Sequence, residues 1–312
     1  MIPLIVIEGP TAVGKSRLAL QLAELFATEI ISADSRQIYR FMDIGTAKPS
    51  SEDRAKITHH LIDIVNPNEE YSAGQFSVAA DKLIKQLHAG GKLPVICGGT
   101  GFYIKALLEG LFEAPSIPGK IRSDLEELED KKGTEYLYQM LKKVDPPSAD
   151  RIHQKDSYRI KRALEVWIAT GKGIGEHWES QDKRKQQYNP LRILISEERE
   201  ILYERINSRM ERMIKEGLID ELRSLLAAGY HQDDPGLTSV GYREFLPFIK
   251  ENDSFISCLE EAKKDSRNYA KRQFTWYRKI NFDLIIQSMH YRTDEIADKI
   301  KIFLESDQKA LS

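Results

Sequence analysis

The run Gly9-Pro10-Thr11-Ala12-Val13-Gly14-Lys15-Ser16 constrains this chain more than any other stretch, because it fills the pattern G-x-x-x-x-G-K-[ST] directly after the apolar residues Leu4-Ile5-Val6-Ile7. The glycines let the backbone curl until consecutive N–H groups face one anionic oxygen, and the helix that follows presents its positive end to the same point. Lys15 adds a point charge and Ser16 a hydroxyl suited to Mg²⁺. Leu18, Leu22, Leu25 and Phe26 recur at helical spacing, so the loop sits between a strand and a helix, as a phosphate cradle requires. Such a loop recognises a diphosphate or triphosphate and leaves open what is attached to it.

Further apolar runs follow at Glu29–Ser32, Leu61–Val65 and Leu93–Cys97. Between the last two, Ser72–His88 carries a helical apolar stripe with a serine at its N-cap, and Gly90-Gly91 ends it. Strands alternating with helices predict a parallel sheet with crossover helices, whose ligands lie beyond the carboxyl ends of the strands. The residues just after each run are therefore the site candidates. Asp34 follows the second run and is placed beside the phosphate loop, either as a reacting carboxylate or as a helix cap or water-mediated Mg²⁺ ligand. After Leu93–Cys97 comes Gly98-Gly99-Thr100-Gly101-Phe102-Tyr103, where an ATPase would often place an acidic residue. Glycines there allow close approach of backbone to something bulky.

The character changes at Ala114-Pro115-Ser116-Ile117-Pro118-Gly119, a turn-rich joint. Lys120–Gly173 reads as helices, and Leu191-Arg192-Ile193-Leu194-Ile195 as a strand returning to the sheet. The expected fold is α/β: a P-loop NTPase-like parallel-sheet core from residues 1–114 and 191–312, with a helical C-terminal part, interrupted by a helical insertion at 115–190. Arg151–Arg162 in the insertion holds five Lys/Arg against one Asp, either a solvated face or a polyanion contact. Arg205, Arg209 and Arg212 share one helix face, and Lys263–Lys279 interleaves seven Lys/Arg with four aromatics, the combination that folded single-stranded RNA needs.

A formal net charge of −2 means that any polyanionic partner is met by such local patches rather than by the whole surface. No stretch approaches the roughly 18 apolar residues of a membrane helix, and Met1-Ile2-Pro3-Leu4 lacks the cationic region of a signal peptide. A cytoplasmic protein without membrane attachment is expected. Two cysteines, Cys97 and Cys258, make neither a disulfide framework nor a zinc site.

Several of these pieces together resemble one family, the bacterial tRNA dimethylallyltransferases, also called tRNA isopentenyltransferases. They are the phosphate loop, Asp34-Ser35-Arg36-Gln37-Ile38-Tyr39-Arg40, Gly45-Thr46-Ala47-Lys48-Pro49, Gly98–Tyr103, Arg162-Ala163-Leu164-Glu165-Val166, Gly241-Tyr242-Arg243-Glu244 and Tyr269–Trp276, in order along nearly the whole chain. Arg36 stands where the family usually has methionine. The resemblance implies transfer of a dimethylallyl group from dimethylallyl diphosphate to N6 of the adenosine just 3′ of the tRNA anticodon, position 37 of the tRNA. It further implies Mg²⁺ near Ser16, a diphosphate on Gly9 to Ser16, and catalytic roles for Thr11, Lys15, Asp34 as base, and an arginine, Arg205 with Arg209 in reserve. Contacts to the anticodon stem-loop are implied at Asp34, Ser35, Arg36, Gln37, Thr100, Arg122, Tyr158, Arg159, Ile160, Lys161 and Arg162. A monomer is expected. A small-molecule kinase would use the same loop, and a non-enzymatic RNA-binding nucleotide switch would keep the basic patches.

Overall fold

The computed structural model describes residues 1–110, 117–176 and 187–311. In chain order the elements are β1 (Ile2–Glu8), α1 (Lys15–Leu25), β2 (Ile30–Ser32), α2 (Ser51–Lys56), β3 (His59–His60), α3 (Ala73–Ala89), β4 (Val95–Gly98), α4 (Gly101–Glu109), α5 (Gly119–Lys132), α6 (Thr134–Val144), α7 (Pro146–Arg151) and α8 (Ser157–Thr170). They continue with β5 (Tyr188–Ser196), α9 (Arg199–Lys215), α10 (Leu218–Ala227), α11 (Leu246–Ile249), α12 (Phe255–Tyr277), β6 (Leu284–Gln287) and α13 (Thr293–Leu311). The chain divides into two compact units, Met1–Leu108 with Gln187–Ser312, and Glu109–Gln186. The second unit thus begins and ends a few residues before the insertion drawn from sequence at 115–190, because α4 runs on to Glu109 and β5 already starts at Tyr188. The joint at Ala114–Gly119 lies partly outside the described residues.

The first unit holds a six-stranded sheet in the order β3-β2-β4-β1-β5-β6, with every pair parallel. A central parallel strand is covered on both faces and must be apolar throughout. Leu4, Ile5, Val6 and Ile7 of β1 are accordingly buried, in register with Val95 to Cys97 on one side and Pro190 to Ile193 on the other. Leu18, Leu22 and Ala23 of α1 share one core with Leu202 and Ile206 of α9, all of them buried. Leu25, read as part of the α1 stripe, is 61% exposed. α3 starts with the expected cap, since the Ser72 hydroxyl accepts from the Gln75 N–H while the Gln75 side chain returns to the Ser72 N–H.

Two strands depart from the sequence reading. Leu61–Val65 is not a strand: β3 is only His59–His60, after which Leu61 and Asp63 turn through the left-handed region at φ 61° and 58°, and Val65 keeps a single bridge to Tyr39. The Asp63 carboxylate is held by Lys48 and Arg54, which fixes the turn. β6 lies in a region that the sequence reads as helical, because its four residues alternate half-buried and exposed and are too few to set a period of their own.

The second unit is helical throughout its described part. Leu125, Leu137, Leu141, Ile160 and Leu164 from α5, α6 and α8 form its core.

Candidate active site

The carboxyl ends of five strands converge on one region: Glu8 leads into the phosphate loop, Ser32 into Asp34, Gly98 into Thr100, Ser196 into Glu197 and Gln287 into Ser288. The loop needs its glycines. A Cβ on Gly9 would lie 2.5 Å from the Ile195 carbonyl oxygen, and Gly14 sits at φ 96° where α1 begins. Lys15 Nζ donates to the Pro10 carbonyl at 2.8 Å, crossing the loop it serves. Burial pulls its pKa down to about 8, opposed by the neighbouring Cys97 and Asp34 and reinforced by Arg209. The same burial pushes the Cys97 thiol up to about 12, which removes it as a nucleophile.

Helix α12 braces the loop from behind. Gln273 accepts the Thr11 N–H at 2.8 Å and donates to the Gly99 carbonyl at 2.9 Å, and the buried Tyr277 hydroxyl donates to the Gly9 carbonyl at 3.1 Å. A second support follows β6: Ser288 donates to the Val13 carbonyl at 2.8 Å and accepts from Arg205 at 2.7 Å, while Arg205 also pairs with Glu197 at 2.8 Å. Arg209, one turn further along α9, instead reaches Thr11 Oγ1 at 2.5 Å and lines the cavity in front of the loop. Arg205, the first choice from sequence, is bonded to Glu197 and Ser288, whereas Arg209, the reserve, bonds Thr11 and lines the cavity.

Asp34 faces the same cavity. Its Oδ1 accepts the N–H groups of Arg36 at 2.8 Å and Gln37 at 3.4 Å, so the carboxylate caps its own turn and is thereby held in one orientation. Thr100 locks that turn to the glycine loop, accepting from the Ser35 N–H at 2.9 Å and donating to Ser35 Oγ at 3.2 Å. A Cβ on Gly98 would collide with the Ala33 backbone, which is why glycine stands there. The Gln37 side chain spends its hydrogen bonds internally, accepting from Ser32 and donating to the Ala47 carbonyl at 3.0 Å. Arg36 donates to the Pro235 carbonyl at 3.1 Å.

The cavity enclosed by these elements measures about 500 Å³. Its far wall comes from residues without an assigned role at the sequence level. Glu221 on α10 accepts the N–H groups of Asp43, Ile44 and Gly45 and the Tyr242 hydroxyl, pinning the Gly45–Pro49 segment. Gly45 is needed because a Cβ would collide with the Tyr242 ring. Lys48, the charged residue of that motif, donates to the Tyr39 carbonyl and to Asp43 and Asp63, so its work is structural. The motifs signalled both segments; their partner, Glu221, had no signal of its own. Ser239, 1% exposed, lines the cavity, and its hydroxyl has no hydrogen-bond partner among the described residues.

In the second unit Tyr158 is 78% exposed at the start of α8, and Arg159 is exposed and paired with Asp156. Lys161 bonds Glu129, whose pKa falls to about 2 through hydrogen bonds from Lys161, Ser157 and Thr134. Arg122 and Arg162 both reach Glu165. Ile160 is fully buried in the core of the unit, which removes its side chain from the RNA contacts expected of it.

A family model described as IPP transferase matches residues 37–280. The chain belongs to that family. A relative from Geotalea daltonii, tRNA dimethylallyltransferase 2, is 45% identical over 278 residues, covering 89% of this chain and 85% of its own length. The structure of the full-length tRNA isopentenylpyrophosphate transferase from Bacillus halodurans is 35% identical and superposes with a TM-score of 0.72 over 99% of this chain and 98% of that one. A eukaryotic dimethylallyltransferase described as acting on tRNA is 29% identical with a TM-score of 0.80, covering 93% of this chain and 75% of that one. Glycines and Thr100 follow the end of β4, where an ATPase would often place a carboxylate.

Proposed function

We propose that this chain transfers a dimethylallyl group from dimethylallyl diphosphate to N6 of adenosine 37 in tRNA, next to the anticodon, releasing diphosphate. The observation that carries the reading is one cavity holding Lys15 and Arg209 at the phosphate loop and Asp34 beside them. Breaking the allylic C1–O bond leaves negative charge on the diphosphate, and the loop N–H groups, Lys15, Thr11 and Arg209 are placed to meet that charge as it grows. The N6 lone pair forms the new bond to C1, and the N6 proton, made acidic by that bond, passes to the Asp34 carboxylate. The base must leave its stack to reach a cavity at this depth, and base extrusion is the usual solution for chemistry on a nucleobase.

Ser16 lies exposed at the start of α1 and lines the cavity, offering one hard oxygen. Among the described residues no group of three His, Cys, Asp or Glu side chains forms a cage for a metal. That donor set fits Mg²⁺ held by the Ser16 hydroxyl together with oxygens of the diphosphate, the cation supplying charge neutralisation when bound. The anticodon stem-loop is met by Tyr158, Arg159 and the Asp34–Gln37 turn, the protein acts as a monomer, and its place is the cytoplasm, where its tRNA substrate is. No described helix is long and apolar enough to cross a membrane.

The deciding experiment incubates the purified protein with Mg²⁺, labelled dimethylallyl diphosphate and unmodified tRNA, with ATP in parallel, and analyses the nucleosides. Label on adenosine only when both substrates are present supports the reading. ATP consumption without transfer would replace it with kinase or ATPase work.

A further inference from the structure

The cavity lining combines three chemistries: the cations Lys15 and Arg209, the polar Asp34 and Gln37, and the apolar Met210, Met213, Val240 and Ala47. Met210 is 4% exposed and Met213 5%; each has one side in the hydrophobic core and the other on the cavity. Met210 Cε sits 3.6 Å from where a Cβ on Gly241 would lie, an ordinary van der Waals distance, and a Cβ on the nearby Gly45 would collide with the Tyr242 ring.

Arg209 and Met213 lie at i and i+4 on α9, on one face and separated by a rise of about 6 Å. A five-carbon allylic chain spans roughly 5 Å from its bridging oxygen, four bonds of about 1.5 Å each. A chain whose diphosphate rests against Arg209 and Thr11 and that runs along α9 reaches the level of Met213 at its fifth carbon, where a second isoprene unit would meet that side chain. We propose that Met213, backed by Met210, is the stop that limits the donor to five carbons. The inference rests on the proposed placement of the diphosphate at the phosphate loop.

The test compares dimethylallyl diphosphate with geranyl diphosphate as donors to unmodified tRNA, in wild type, Met213→Ala, Met213→Leu and Leu225→Ala. Leu225 is buried in the same core without lining the cavity, so it controls for loosening alone. The expected result is a rise of at least about tenfold in the ratio of kcat/KM for the ten-carbon over the five-carbon donor in Met213→Ala, the size that methylene-scale changes produce in an apolar pocket. Met213→Leu, of similar volume, and Leu225→Ala stay near the wild-type ratio. Should Met213→Ala fail to fold, Met213→Val carries the test with a smaller rise. An unchanged ratio in a folded variant, an equal rise in Leu225→Ala, or a raised KM for tRNA alone would overturn the assignment. Lys15→Met measured alongside separates the two levels: if it uses the five-carbon donor normally, the placement of the diphosphate itself is wrong.

Discussion

At the scale of single residues, the site separates groups that meet the reactants from groups that hold them. Asp34→Asn keeps the capped turn but loses the proton acceptor, so kcat should fall by about 10²–10⁴ with little change in the KM for the diphosphate, read by steady-state kinetics. Under the proposed placement of the diphosphate, Arg209→Ala removes a cation beside the leaving group and should lower kcat by about 10²–10³. Arg205→Ala should act differently. It strands the buried Glu197 carboxylate, so its main effect is a lower melting temperature, with a smaller loss of rate. Equal kinetic losses from both arginines would contradict the geometry. Lys15 adds a pH dependence. Its folded pKa is depressed to about 8 from an ordinary 10.5, so burying the charge costs stability below pH 8, and that cost fades as pH rises through 8 to 10.5. Because the anion needs the protonated form, kcat/KM for the diphosphate should decline above pH 8, and calorimetry in buffers of different ionisation enthalpy at pH 8 should show proton uptake on binding.

At the scale of elements, α12 shows why a segment's composition misleads. Its interleaved cations and aromatics suit RNA, yet Tyr277 and Gln273 turn inward as struts of the phosphate loop while Lys271 and Arg272 stay exposed. Tyr277→Phe leaves the Gly9 carbonyl short of a buried donor and should cost about 1–3 kcal/mol in a denaturant melt, with the diphosphate KM rising more than that for tRNA. In the second unit Glu129 ties α5 to α8 through Lys161 and Ser157. Its pKa is lowered to about 2, so the stability it adds is present above the ordinary value near 4.5 and is lost as pH falls toward 2. Melting of the full chain should therefore drop between pH 4.5 and 2, and Glu129→Gln should make that drop smaller, the remainder coming from other lowered carboxylates such as Glu29 and Asp265. The helices of this unit, α1 and α3, and the central strands were legible because long apolar periodicities decide them locally. β3, the turn at Leu61–Asp63 and β6 were not, since their pairing is set by partners distant in sequence, β2 for the one strand and β5 for the other.

At the scale of the whole molecule, the order β3-β2-β4-β1-β5-β6 brings the carboxyl ends of β1, β2 and β4 to one cavity and those of β5 and β6 beside them, where Glu197 and Ser288 hold Arg205 and the loop. A net charge of −2 leaves RNA binding to local surfaces rather than to an overall field. Tyr158→Ala with Arg159→Ala should consequently raise the KM for tRNA and flatten its salt dependence while leaving the KM for the diphosphate donor in place, a split that filter binding and kinetics at several salt concentrations would show.

The sequence alone determined the phosphate loop, the α/β alternation, the helical insertion and the carboxylate at the second strand's end. Each is a local pattern in which backbone conformation and the chemistry of one short segment suffice. Only the tertiary structure decided that Arg209 and not Arg205 lines the cavity, that Ile160 is core, and that Glu221, Gln273 and Tyr277 hold the loops in place. Those choices depend on which face of a helix meets a loop more than a hundred residues away, and side-chain spacing on one helix does not contain that information.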